Sequence, residues 1–272
     1  MSTPSTPPLL HSAFYKFVAL NNVAAMAEHL RQITLALHGS ILLASEGING
    51  MVAGSAAALD EFESAVLAIA PFSGMVFKRS QCTTAPFRKM KVRQKPEIVP
   101  LGIAGVDVTA GTGINVSPAE WRKLIAQEDV VVLDNRNSFE YRLGHFHKAI
   151  DPGVTNFRDF PEYVAAHLAE WQAKGQRVAM YCTGGIRCEK TSAWMQAFDI
   201  PVFQLEGGIL NYFQAMPDAA GDWEGECFVF DNRIALDTHL QETSTTLEDV
   251  YQGEPDGEWR LRRARQLDGD GT

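Results

Sequence analysis

Cys182 ends the apolar run Arg177 to Tyr181 and opens the loop Thr183-Gly184-Gly185-Ile186-Arg187-Cys188-Glu189-Lys190. Glu189, Thr191, Ala193, Trp194, Met195 and Phe198 continue with a helical pattern, so the cysteine stands where a strand passes into a helix through a glycine turn. A cysteine is a nucleophile as its thiolate, and N–H groups converging from such a loop and helix start stabilise that anion. We expect sulfur chemistry here. Cys182 is the candidate nucleophile, Arg187 a cationic stabiliser and Cys188 an auxiliary thiol. Thr183, Gly184, Gly185 and Ile186 supply the N–H cradle around the reacting group.

A second cluster is cationic. Lys78, Arg79, Arg88, Lys89, Lys91, Arg93 and Lys95 occur with no acidic residue from Lys78 to Lys95, with Phe77 at the edge and Phe87 inside. Against a net charge of -9 this stripe suits phosphate neutralisation, with an aromatic ring to stack on a base. Arg88, Lys89, Lys91 and Arg93 are the expected RNA contacts. A solvated edge strand guarded by charge is the alternative. Arg260, Arg262, Arg263 and Arg265 form a weaker basic cluster that could add nonspecific affinity.

The elements that must position these residues fall into two groups. Phe14 to Leu20, Val23 to Leu37, Ile41 to Ala44, Ile48 to Val52, Ala56 to Ile69 and Met75 to Lys78 read as strand, helix, strand, strand, helix, strand. That order is the split βαβ, ferredoxin-like plan of an α+β domain, an antiparallel sheet with both helices on one face. It occupies residues 12–95. The Pro- and Gly-containing stretch 96–115 is the expected linker. Helices Pro118 to Gln127, Pro161 to Ala173, Glu189 to Phe198 and Gly208 to Met216 then alternate with short apolar strands at Val130 to Asp134, Val178 to Tyr181 and Val202 to Leu205. This α/β alternation predicts a parallel sheet covered on both faces over residues 116–218, with ligands beyond the carboxyl ends of the strands, where Cys182 lies. Residues 219–272 form a C-terminal extension, with partial disorder expected after Leu240. No internal repeat is evident.

With 272 residues the chain can bury two cores, and its 46% hydrophobic content describes a globular protein. No apolar run approaches the roughly 20 residues that span a bilayer, and Met1 to Pro8 lacks a basic start or long apolar segment. A cytoplasmic protein without membrane contact is the expectation. Four scattered cysteines, Cys82, Cys182, Cys188 and Cys227, do not make a disulfide framework, and no second pair completes a zinc site beside Cys182 and Cys188. His145 and His147 lack a third ligand nearby. No metal, flavin or haem constellation is evident, and the oligomeric state is not legible.

The second group resembles the rhodanese homology domain in three places taken in order. These are Asp134-Asn135-Arg136 with Glu140-Tyr141-Arg142-Leu143-Gly144-His145-Phe146, the Cys182 to Arg187 loop, and Glu206-Gly207-Gly208-Ile209. The resemblance implies an α/β rhodanese-like domain that carries sulfur as a persulfide on Cys182, with Asp134, Arg136 and Glu140 in structural roles. Phosphatases related to this architecture place an Arg six residues after the cysteine; that position here is Cys188, and Arg187 comes one earlier, which argues against phosphate chemistry.

Taken with Ser45-Glu46-Gly47-Ile48-Asn49-Gly50 and Pro86-Phe87-Arg88-Lys89-Met90-Lys91-Val92-Arg93, the whole pattern from about Phe14 to Asn232 resembles the bacterial oxygen-dependent tRNA uridine hydroxylases. Membership would imply hydroxylation of the wobble uridine of tRNA at carbon five, with molecular oxygen as co-substrate and tRNA as partner. Longer members end in a cysteine-rich segment, whereas no cysteine follows Cys227. Residue patterning alone points to a sulfurtransferase with RNA affinity, and a noncatalytic RNA-binding rhodanese module is the third reading. A Cys182 persulfide or sulfenate could take part in oxygen chemistry.

Overall fold

The computed structural model describes residues 9–268. The chain divides into two units, the first running to Ile98 and including Asp231–Arg233, the second comprising Val99–Phe230 and the residues from Ile234 onward.

In the first unit the elements are β1 (Leu9–Phe17), α1 (Val23–Ile33), β2 (His38–Ala44), β3 (Gly47–Gly54), α2 (Ala56–Leu67), β4 (Phe77–Cys82) and β5 (Met90–Gln94). Asn22 and Ser55 start the helices by accepting the N–H groups of Ala25 and Ala58 through their side chains. The sheet order is β4-β1-β3-β2-β5. Ala27 and Leu30 of α1 share one apolar cluster with Leu59, Phe62 and Val66 of α2 and with Phe14, Ile41, Leu43, Ile48 and Val52 of the sheet. The expected antiparallel sheet is corrected in one respect: β5 pairs in parallel with β2, from Gly39 opposite Met90 to Leu43 opposite Gln94, so the sheet is mixed. The β2–β3 hairpin needs its glycine. Gly47 has φ of +145°, and a β-carbon there would fall 2.1 Å from the Lys16 carbonyl oxygen.

The second unit contains β6 (Ile114–Val116), α3 (Pro118–Ile125), β7 (Val130–Asp134), α4 (Ser138–Leu143), β8 (Gly144–Phe146), α5 (Phe160–Ala173), β9 (Arg177–Tyr181), α6 (Ile186–Met195), β10 (Val202–Leu205) and α7 (Gly208–Ala215). Then follow β11 (Trp223–Gly225), β12 (Cys227–Phe228), β13 (Ala235–Leu236), α8 (Leu247–Tyr251) and α9 (Gly257–Asp268). Its main sheet, in the order β6-β10-β9-β7, is parallel throughout. Every residue of β7 is buried, as a strand covered on both faces requires.

The stretch 96–115 is less free than a linker. Ile98 is buried in the first unit, Val99, Leu101 and Val108 are buried in the second, and the stretch ends in β6. Likewise α8 and α9 occupy residues that composition suggested as partly disordered. Val250 and Tyr251 of α8 pack with Phe139 and Phe228 in a small apolar cluster, with Leu261 of α9 against it, and that contact supplies the burial that average hydrophobicity understates. Residues 269–272, also included in that expectation, lie outside the described residues. Among the described residues no helix is long and apolar enough to cross a membrane.

Candidate active site

Strand β9 delivers Cys182 to the carboxyl end of the parallel sheet, and the following loop turns into α6 through Gly185 at φ of +101°. Gly185 donates its backbone N–H to Cys182 Sγ at 3.2 Å. Burial opposes ionisation of Cys182. The Cys188 thiol donating to its sulfur, the nearby Arg187 charge and the N–H groups of Cys188 and Gly185 outweigh that, and hold the Cys182 thiol well below the usual thiol range. Cys188 is pushed the other way, by its own burial and by the Cys182 sulfur beside it. The two shifts run in opposite directions, favouring the anion at Cys182 and the neutral thiol at Cys188.

Arg187 points to a carboxylate. Its Nη1 and Nη2 donate to Glu140 Oε2 and Oε1 at 2.7 and 2.8 Å, and Nη2 lies 3.4 Å from Thr183 Oγ1. Glu140 is fully buried on α4 and also accepts the Asn137 N–H. The guanidinium thus has a fixed position from which its charge reaches Cys182. It also lies 5.8 Å from the ring centre of Phe230, a half-exposed side chain.

Two further segments hold the loop. Ile209 donates its N–H to the Cys182 carbonyl at 3.0 Å, and Leu210 donates to that of Thr183 at 3.2 Å, so the Glu206-Gly207-Gly208-Ile209 motif lies directly against the Cys182 turn. Asn135 Nδ2 donates to Thr191 Oγ1 at 2.9 Å and approaches Cys188 Sγ at 3.9 Å. On either side of Asn135, Arg136 folds back on Asp134: its N–H, Nε and Nη2 donate to that carboxylate at 3.0, 2.8 and 2.6 Å, all buried. The same tripeptide recurs in the first unit with the same geometry. Arg233 donates through N–H, Nε and Nη2 to Asp231 at 3.0, 2.8 and 2.7 Å.

Cys182, Thr183, Gly184, Gly185, Ile186, Arg187 and Cys188 therefore form one loop and helix start in the second unit. Arg88, Lys89, Lys91 and Arg93 lie in the first. There they line a groove of about 630 Å³ with Arg31, Thr34, Leu35 and His38, between the end of α1 and the edge strand β5. The aromatic rings of this segment are half-buried and each has a ring against it. Phe77 packs on Phe14 and Phe62, and Phe87 stacks on the buried His11 with ring centres 6.1 Å apart. His11 lies 3.7 Å from Asp231, and Arg233 Nη1 donates to Ser80 Oγ at 3.1 Å. Glu46 and Asn49 of the Ser45 to Gly50 motif grip one peptide, accepting from the Ile98 N–H at 2.7 Å and donating to the Ile98 carbonyl at 3.0 Å.

The C-terminal basic cluster is part of α9. Arg260 pairs with Asp256 and lies over the rings of Phe139 and Tyr251, Arg263 lies over Trp259, and Arg265 pairs with Glu248. His145 stacks on Tyr141 and its Nδ1 faces the Tyr141 carbonyl at 3.0 Å. Among the described residues no three His, Cys, Asp or Glu side chains are grouped to hold a metal. Phe230 is the site neighbour that sequence reasoning passed over. Its signal is the alternation Cys227-Phe228-Val229-Phe230, too short to show which aromatic turns outward.

Comparison with known proteins finds one family match within each unit. Residues 10–98 match the UPF0176 acylphosphatase like domain, and residues 117–215 match the rhodanese-like domain. The chain is 40% identical over 250 residues to a tRNA uridine(34) hydroxylase of Legionella pneumophila (strain Paris), covering 90% of this chain and 97% of that one. It is 46% identical over 231 residues to the tRNA uridine(34) hydroxylase of Synechococcus elongatus, covering 84% and 85%. To that of Mesorhizobium japonicum it is 42% identical over 250 residues, covering 90% and 80%. Two domain matches in this order, with identity at this level across nine-tenths of the chain, place the protein: it belongs to the tRNA uridine(34) hydroxylase family.

Proposed function

We propose that this chain hydroxylates uridine 34 of tRNA at carbon five with molecular oxygen, using Cys182 as nucleophile and Arg88, Lys89, Lys91 and Arg93 as RNA contacts. Family membership carries the reaction class. The observation that supports Cys182 as the reacting group is its place at the strand end with the Gly185 N–H donating to Sγ at 3.2 Å, where Cys188 and Arg187 also favour the anion.

Carbon five of uracil becomes strongly nucleophilic once carbon six is saturated. Addition of Cys182 Sγ to carbon six forms the S–C bond and moves the ring's electron pair onto carbon five as an enolate. That pair forms a C–O bond to molecular oxygen, and protonation leaves a hydroperoxide. Two thiols reduce the O–O bond, becoming a disulfide and releasing one water. Loss of the carbon-five proton then expels the Cys182 thiolate and restores the double bond. The sum converts uridine, oxygen and two thiols into 5-hydroxyuridine, water and a disulfide. A thiol of depressed pKa serves both ends of this sequence, as attacking anion and as leaving group. Cys182 has no exposed surface whereas Thr183 and Gly184 are half-buried, so the base reaches the sulfur by displacing the crest of the loop.

The cationic groove of the first unit supports the RNA contacts, because four of its lining side chains are Arg or Lys of one edge segment. A tRNA substrate also fits the cytoplasmic location expected from the sequence. Sulfur transfer is the second reading, since the N–H groups that face Cys182 Sγ would equally hold a persulfide. Nucleoside analysis of tRNA from a deletion strain carrying wild-type or Cys182→Ser protein decides between them. Loss of 5-hydroxyuridine derivatives supports hydroxylation, loss of a thiolated nucleoside supports sulfur transfer, and no change removes the catalytic reading.

A further inference from the structure

We infer that Phe230 is the stacking platform for the wobble base, a specificity contact that holds uracil beside the Cys182 loop; the inference rests on the hydroxylase reading above. Three observations carry it. Phe230 is 51% exposed, while Phe228 and Val229 before it are buried at 3% and 4%. Its ring is held from behind by an edge contact with Phe228, with ring centres 4.9 Å apart and planes at 89°. Its neighbour on the site side is Arg187, whose guanidinium lies 5.8 Å from the ring centre and reaches Thr183 next to the reactive cysteine.

A large apolar ring in water is costly, and most of the exposed apolar side chains here are aliphatic. Trp259, the other large aromatic in that set, likewise has an arginine over its ring, but that arginine is Arg263 of the same helix α9. Phe230 instead leads through one arginine to the cysteine loop. A base drawn out of the anticodon loop loses its stacking partners, and an exposed aromatic ring beside Arg187 replaces them. The Arg187 cation on one side of the ring leaves the rest of it for a neutral base.

The test is a binding cycle on full-length protein with tRNA transcripts bearing either uridine or an abasic residue at position 34. Removing the base should weaken binding to the wild-type protein by roughly 5- to 150-fold, the range of one base–aromatic stack. Phe230→Ala should lose the same factor on the uridine transcript and show no further loss on the abasic one. Phe230→Trp should keep the discrimination, and Phe230→Leu, which preserves apolar volume if the alanine variant folds poorly, should lose it. Cys182 alkylation as a function of pH should be unchanged in all three, which separates stacking from damage to the loop. Full discrimination in Phe230→Ala, or none in the wild-type protein, overturns the proposal. Because binding is read apart from turnover, a wild-type protein that binds base-dependently yet forms no 5-hydroxyuridine would refute the hydroxylase reading while leaving the platform standing.

Discussion

Gly208 lies against the carbonyl oxygen of Cys182. A β-carbon at Gly208 would come within 2.5 Å of that oxygen, 2.7 Å of the Thr183 oxygen and 2.8 Å of the Gly185 nitrogen, and the residue has φ of +73°. Space and backbone conformation both demand glycine there. Gly208→Ala should therefore push the reactive loop out of place, costing about 1–3 kcal/mol in stability. Chemical denaturation would read that cost, and tRNA nucleoside analysis should show modification falling although no reacting group has changed. A variant of wild-type stability and activity would mean that the loop yields freely.

Arg187, held by Glu140, is one of the groups that lower the pKa of Cys182, after the Cys188 thiol. Cys182 alkylation should persist at pH well below the usual thiol range, and disappear only as pH falls through its depressed pKa. Arg187→Met removes a cation that favours the thiolate, so the profile should move to higher pH. It also leaves Glu140 buried without its partner, which costs about 3–5 kcal/mol. Adding Glu140→Gln should recover part of that stability without restoring the alkylation profile, as iodoacetamide kinetics over a pH series would show.

Cys182→Ser should abolish tRNA modification with a stability change under about 1.5 kcal/mol, since volume is nearly conserved. Cys188→Ser should be milder, because a hydroxyl can still donate to the thiolate. Equal loss in both variants would instead make the two sulfurs a working pair. Measured 5-hydroxyuridine in complemented deletion strains distinguishes these outcomes.

Replacing Arg88, Lys89, Lys91 and Arg93 with Gln should weaken tRNA binding and flatten its salt dependence, by about 0.7–0.9 in the log–log slope for each phosphate no longer neutralised. Alkylation of Cys182 should be unaffected, since the four side chains belong to the first unit and Cys182 to the second. Titrations at several salt concentrations give the slope, and an unchanged slope would move the RNA-binding surface elsewhere.

His11 makes the first unit acid-sensitive. Burial, then the Arg233 charge, lower its pKa from 6.5 to about 4 against the opposing pull of Asp231. The unfolded chain takes up this proton first, so the contribution is complete above pH 6.5 and shrinks as pH falls toward 4. The total is roughly 3 kcal/mol for a shift of this size. His11→Gln should flatten the stability profile across that interval, measured by urea unfolding.

Much of this arrangement is written in local patterns. The order β1-α1-β2-β3-α2-β4 follows from apolar spacing, and the Cys182 loop from a short apolar strand ending in Cys-Thr-Gly-Gly. What escapes is decided by distant contacts. Met90–Gln94 alternates charged with apolar residues and reads equally as linker or edge; only pairing with β2 makes it a strand. Phe87 sits among cations, yet His11, far away in sequence, claims its ring. The capping box of α8 is visible in Thr246 and Asp249, but Phe139, against which the helix packs, lies more than a hundred residues earlier. The outward turn of Phe230 depends on which neighbours are buried, and four residues do not reveal that.

The two Asp-Asn-Arg hooks bear on how the chain acquires its shape. A carboxylate and a guanidinium two positions apart close a very small loop, so their encounter costs little chain entropy and needs no tertiary contact to precede it. Asp134 with Arg136, and Asp231 with Arg233, can therefore meet while the chain is still largely open and enter the interior as neutralised pairs. Long-range contacts then assemble around charges that are already matched. Burying each hook then means dehydrating one matched pair rather than two separate ions that must find each other inside a closing core.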